Sequence, residues 1–181
     1  MSQAVFTHDT ELSLRAAAAL VNTPAPETLD AVIAFFESWG WTGPRPENAA
    51  VVPVVGRVRQ RIAGLWGAPM EVAVDITNGL LRDAHACPQL VNHEPVGWHI
   101  HAAPPESDFP TRLAVDTAMA FADAIRTGEY SRLRRCAAAD CDDAFVDLSK
   151  NRSRKFCDGT CGTKAAAAAY RARARESVSQ D

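Results

Sequence analysis

Four cysteines in the last quarter of the chain, Cys136, Cys141, Cys157 and Cys161, are the residues whose type and spacing most directly imply chemistry. They stand as C-x4-C, then fifteen residues, then C-x3-C. Two close thiol pairs separated by a hairpin-length segment form the ligand pattern of a tetrahedral Zn²⁺. Four thiolates fill that coordination sphere and leave no position for water or substrate, so the expected metal is structural and not catalytic. The competing use of such pairs is two disulfides in an exported domain. The N-terminal MSQAVFTHDTELSL has no basic segment followed by an apolar run, so no export signal is read. A reducing, cytoplasmic setting is therefore expected, where disulfides are disfavoured. Neither pair has the two-residue gap of a redox pair.

Basic residues crowd the same region. Residues 131–175 hold eleven Lys/Arg against five acids, a net +6, whereas residues 1–130 hold eight against fifteen, a net −7. A four-thiolate zinc site is formally −2, which leaves the metal module near +4. The candidate contacts to a polyanion, double-stranded DNA first, are Lys150, Arg152, Arg154, Lys155, Lys164, Arg171, Arg173 and Arg175. Lys164, Arg171 and Arg175 fall within roughly 40° of one another on a helical wheel, with Ala167 and Ala168 between them. Small residues among cations let a helix approach a phosphate backbone closely. The other reading is a solvated basic face that docks on the acidic N-terminal part. Arg152 and Arg154 have a framework reading too, as donors to carbonyls or to Asp147.

The elements that must position these groups follow from periodicity and punctuation. Residues 11–23 are Ala/Leu-rich and end at Pro24 and Pro26, and 26–41 place Leu29, Val32, Ile33 and Phe36 at helical spacing. From about Pro53 to Trp66, Val55, Val58, Ile62 and Leu65 form one stripe, off which lie Arg57, Arg59 and Arg61. Residues 70–84 read as a further helix. Five prolines between 85 and 110 exclude one there. Within that stretch VGWHIHA (96–102) alternates as a strand with Trp98 expected inside, and QLVN (89–92) is its hairpin partner. Helix returns over 111–128, with Gly128 as the stop. In the metal segment, AFVDLS (144–149) reads as a strand, NRS as a turn and RKF (154–156) as the return; GTKAAAAAYRARAR (162–175) is strongly helix-favouring.

The expected fold is mainly α: an N-terminal helical domain with a small β-hairpin over 1–130, then a treble-clef-like zinc module over 131–181. Because all four Trp and most large apolar residues precede the break near Gly128, residues 1–130 are expected to fold alone. The string RLRRCAAADCDDAFVDLSKNRSRKFCDGTCGTKAAAAAYRARAR resembles the CGNR zinc finger. LVNT (20–23), VRQRIAGLW, ITNGLL and WHIH resemble the domain that accompanies it, called ABATE. The resemblance implies a bacterial transcription regulator that holds zinc and binds DNA, and it implies no enzyme activity. Here Thr163 and Lys164 stand where the family's name motif has Asn and Arg. A lysine is a point charge without the planar bidentate fork of arginine, so a base-specific contact at 164 is not expected.

The remaining polar groups read mostly as structural. His99 and His101 share a strand face, and His85, His93 and Asp108 are near in sequence, but satisfied or solvent-facing histidines are favoured over a second metal. Cys87 has no cysteine partner; Asn22 is favoured as a cap or core hydrogen-bonding group over a ligand contact; Asp147 is favoured as framework. A possible small-molecule effector and a possible homodimer belong to the N-terminal domain. The alternative functions are an RNA- or protein-binding zinc module and, less favoured, an enzyme with a pocket among the N-terminal helices.

Overall fold

A computed structural model describes residues 5–93 and 97–178, with the side chains of His93 and of 174–178 left aside. In chain order the elements are α1 (His8–Asn22), α2 (Leu29–Ser38), α3 (Val51–Ala63), α4 (Met70–Asp83), β1 (Gln89–His93), β2 (Gly97–His101), α5 (Phe109–Arg126), β3 (Leu133–Arg135), β4 (Ala144–Val146) and α6 (Gly159–Val178). The fold is mainly helical, with two small antiparallel hairpins, β1–β2 and β3–β4. No described helix is long and apolar enough to cross a membrane.

Side-chain caps set the helix starts. Thr7, Thr28 and Asp108 accept hydrogen bonds from the backbone N–H groups of Thr10, Ala31 and Thr111. Thr7 is why α1 begins a turn before the residue at which its apolar pattern starts. Its C-terminal end has no basic residue of its own. Arg59 of α3 supplies the charge instead, donating to the carbonyls of Leu20, Val21 and Thr23. Gly128 has φ +74° and closes α5, as its position in the sequence predicts.

Helix α5 is the central element. Its Phe109, Leu113, Ala118 and Phe121 are buried against Leu14 of α1, Val55 and Ile62 of α3 and Leu80 of α4. Phe109 meets Phe36 edge-on at 5.3 Å, and Phe121 meets Trp66 edge-on at 5.4 Å. Asp116, also on α5, lies where burial raises its carboxyl to about 6, with Arg112 opposing and Asp9 adding to the rise. Between about pH 4 and 6 the unfolded chain has released this proton while the folded chain still holds it. Stability therefore falls as pH rises through that window. Asp116→Asn should stabilise the protein at pH 7 by up to about 3 kcal/mol. It should change little at pH 4. Urea unfolding at the two pH values checks this.

Two expectations are corrected. The β1–β2 register pairs Leu90 with Ile100 and Asn92 with Trp98. The face bearing Trp98 points outward, with Trp98 73% exposed, while His99 and His101 are half-buried on the other face. Alternation separates the two faces of a strand, but only a second layer decides which is inside; Val96, expected with them, lies outside the described residues. Of the strand expected over 144–149 only residues 144–146 are strand, and they pair with 133–135, not with 154–156. The first cysteine pair therefore sits in the turn of the β3–β4 hairpin. Asp147 turns the chain out of the ladder by accepting the backbone N–H groups of Ser149 and Arg154.

The charge break near Gly128 is not a break in the core. Leu133, Ala144 and Val146 are buried in the same cluster as the N-terminal helices. Asn22 clamps Ala144 from both sides, its Nδ2 donating to the carbonyl at 2.8 Å and its Oδ1 accepting the N–H at 2.7 Å. Arg135 donates to the carbonyls of Ala63 and Trp66.

Candidate metal centre and basic surface

The four cysteines are carried by two short pieces of backbone. Cys136 follows β3, and its N–H donates to the Asp143 carbonyl, while Cys141 closes a tight turn onto Ala138. Cys157 lies two residues before α6 and Cys161 in its first turn, where Asp158 Oδ1 accepts the Cys161 N–H at 2.8 Å. The four sulfurs lie within 4.8 Å of one another, with Cys141–Cys157 at 3.7 Å and Cys157–Cys161 at 3.6 Å. A tetrahedron with metal–sulfur bonds of about 2.3 Å has edges of about 3.8 Å, so this donor set fits such an ion. Cys136 and Cys161 are buried, and Ala138 and Phe156 pack around the site.

The thiols cannot ionise together unaided. Burial works against ionising Cys136, but the N–H groups of Cys157 and Ala138 and the Cys157 and Cys141 thiols hydrogen-bond its sulfur and bring it down to about 7. Burial and then the sulfurs of Cys161, Cys136 and Cys141 push Cys157 well above the usual thiol range. For Cys161 the Cys157 hydrogen bond favours ionisation, yet burial and the Cys141 and Cys136 sulfurs leave it raised to about 11. A bound cation supplies the charge that lets all four be thiolates.

The basic residues divide into two groups. Arg132 is buried; it pairs with Glu129 and donates to the carbonyls of Asp147 and Ser149. Arg134 donates to the carbonyls of Ser131, Arg152 and Arg154. Arg154 holds the carbonyls of Phe156 and Cys157 and lies over the Phe145 ring at 5.1 Å. Arg152, at φ +52°, pairs with Glu129 at 2.8 Å. The hydrogen bond from Arg132, with Arg152 adding to it, holds the Glu129 carboxyl below its ordinary range. Thus Arg152 and Arg154, candidates for a polyanion, are engaged inside the module, Arg154 as part of its frame.

Lys164 has one exposed contact, 3.5 Å from Asp140. The side chains of Lys150, Lys155, Arg171 and Arg173 are exposed and make no ion pair or hydrogen bond among the described residues. The side chain of Arg175 lies outside the described residues. Sequence reasoning did not single out the framework roles of Arg132 and Arg134. The signal was there in their i, i+2 spacing in RLRRC, which puts both on one side of an extended chain, opposite the buried Leu133.

At the foot of the β1–β2 hairpin is a cleft of about 500 Å³, lined among others by Thr42, Cys87, His101, Pro105 and Arg112. Arg112 donates there to the carbonyls of Thr42, Pro105 and Ser107.

A helical body carrying a four-cysteine, metal-binding finger is the class of protein that this architecture defines. Two family models match in that order. ABATE, described as "putative stress-induced transcription regulator", matches residues 14–128, and the CGNR zinc finger matches residues 132–174. The chain belongs to the ABATE family and ends in a CGNR zinc finger. No curated protein matches it.

Proposed function

We propose that this protein is a DNA-binding transcription regulator of the cytoplasm, with Zn²⁺ held by Cys136, Cys141, Cys157 and Cys161 as a structural ion. All four ligands are thiolates in a tetrahedral-sized cage, which suits Zn²⁺ among the common divalent ions. The metal fixes the start of α6; it takes no part in chemistry, and no catalytic residue is assigned. The cleft beneath the β1–β2 hairpin is the place for an effector.

The observation that carries this reading is α6 itself. From Thr163 to Arg173 its side chains are exposed or half-buried, and Tyr170 is 69% exposed. A helix of alanines standing off the body, with Lys164, Arg171 and Arg173 on it and Lys150 and Lys155 on the adjoining loop, offers cations to phosphates without steric obstruction.

The test is a titration of zinc-loaded protein with duplex DNA at several salt concentrations. Lys150→Ala, Lys155→Ala, Lys164→Ala and Arg171→Ala should each keep one zinc per chain. Each should also flatten the salt slope by about one. Arg154→Ala should instead loosen the finger and lower its zinc content. Equal affinity of the fourfold lysine and arginine variant and the parent at matched salt overturns the reading, and a preference for single-stranded RNA replaces it with the alternative.

A further inference from the structure

The β1–β2 hairpin presents an apolar face that no described residue covers. Leu90 is 70% exposed, its cross-strand partner Ile100 53% and Trp98 73%, and Asn92 completes the face. Hydrophobic side chains scattered singly over a surface are ordinary, but three on adjacent register positions of one hairpin make a patch. The other face is turned to the body, where His99 and His101 are half-buried.

We propose that this face is a self-association surface. A second copy of the chain lays the same face against it about a two-fold axis. The inference does not depend on DNA binding.

The chemistry of the patch selects the occupant. Its described side chains carry no charge, so they offer a polyanion or a charged peptide nothing to pair with. Each of its groups is complementary to itself: Trp98 can stack offset on its mate, Leu90 and Ile100 match apolar to apolar, and Asn92 carries both donor and acceptor. A two-fold axis sets residue i of one copy against j of the other and j against i, so an isologous interface needs a patch whose groups suit one another, as these uncharged groups do. Two-stranded hairpins also gain independent stability when a second layer packs about 10 Å from their apolar face.

The area sets the strength. The three side chains expose on the order of 400 Å² per copy, so their burial in a pair removes about 800 Å². A standard interface buries about 1,600 Å², and the hairpin backbone and rim supply only part of the difference. The expected dimer is therefore weak and concentration-dependent. Two bodies of net −7 repel each other, so salt should leave this dimer unchanged or tighten it.

The experiment is sedimentation equilibrium of the full, zinc-loaded chain up to about 500 µM, where a weak dimer is populated, at low and high salt. The expected result is a monomer–dimer equilibrium in the parent, and a monomer at all concentrations for Trp98→Asp and for Ile100→Asp. Both variants should melt as the parent does in dilute solution, because the changed side chains face water. Three results overturn the inference: a monomeric parent over the whole range, dimerisation that survives either substitution, or dimerisation that weakens as salt rises. The last would mean an ionic contact, such as the basic finger of one copy on the acidic body of another.

Discussion

Cut after residue 130, the N-terminal part is expected to lose cooperative thermal unfolding, although it contains all four Trp and the whole of α5. The reason lies in what the cut removes. Leu133, Ala144 and Val146 belong to the core of the helical body and are at most 5% exposed. Burying a leucine or valine contributes about 1.5–3 kcal/mol, and a domain's total stability is about 5–15 kcal/mol. The cut also uncovers apolar side chains of α1 against which β4 packs, and it leaves the Asn22 amide without the Ala144 backbone. A second measurement isolates that coupling in the intact chain. Asn22→Ala removes both hydrogen bonds to Ala144 and should cost about 1–2 kcal/mol, which lowers the melting temperature by a few degrees. Calorimetry on the fragment and the variant decides the matter: a sharp heat-absorption peak for residues 1–130 at a temperature close to that of the full chain would show that the two parts have separate cores.

What was legible in the sequence was local. The metal site depends on spacings of a few residues and on two turns, and the helices depend on caps and on the period of their apolar positions. What was not legible depended on distant partners. The strand at 144–146 had two possible neighbours, 133–135 and 154–156, of similar length and character. The choice is made by Asn22, 122 positions earlier, and by Asp147, whose turn removes 154–156 from the ladder. The orientation of Trp98 depends on the absence of a second layer over the hairpin, which alternation does not encode. The arginines divide for a related reason. From Asp147 to Cys157 the chain has no strand partner, so several of its carbonyls take donors from side chains. Arg132, Arg134 and Arg154 meet that need with guanidinium forks, while the lysines and the α6 arginines, equally basic in sequence, face no such carbonyls. Charge counting found the basic region but could not separate its frame from its free surface.

Asp147→Ala is expected to be the most damaging single substitution in the finger away from the cysteines. The carboxylate is fully buried and accepts the Ser149 N–H at 2.9 Å, the Ser149 hydroxyl at 2.5 Å and the Arg154 N–H at 3.0 Å, with the Arg134 guanidinium 3.8 Å away. Burial alone would raise its pKa, but the hydrogen bonds from Ser149 and Arg154 and the charge of Arg134 outweigh it and hold the carboxyl below its usual range. Removing the carboxylate leaves buried donors and a cation uncompensated, at a cost of about 3–5 kcal/mol. The loop it holds leads directly to Cys157, whose carbonyl is held by Arg154. The variant should therefore give up its metal to a chelator at pH 7 at least about tenfold faster than the parent, a change that about 1.4 kcal/mol suffices to produce. Because the folded carboxyl is depressed, its contribution is complete above the unfolded value near 4 and is lost as pH falls through the folded one. Asp147→Asn should consequently be destabilised at pH 7 and approach the parent below about pH 4. Urea unfolding across pH 3–7 reads this convergence. A gap between the two proteins that stays constant down to pH 3 would place the effect in packing and not in the charge of Asp147.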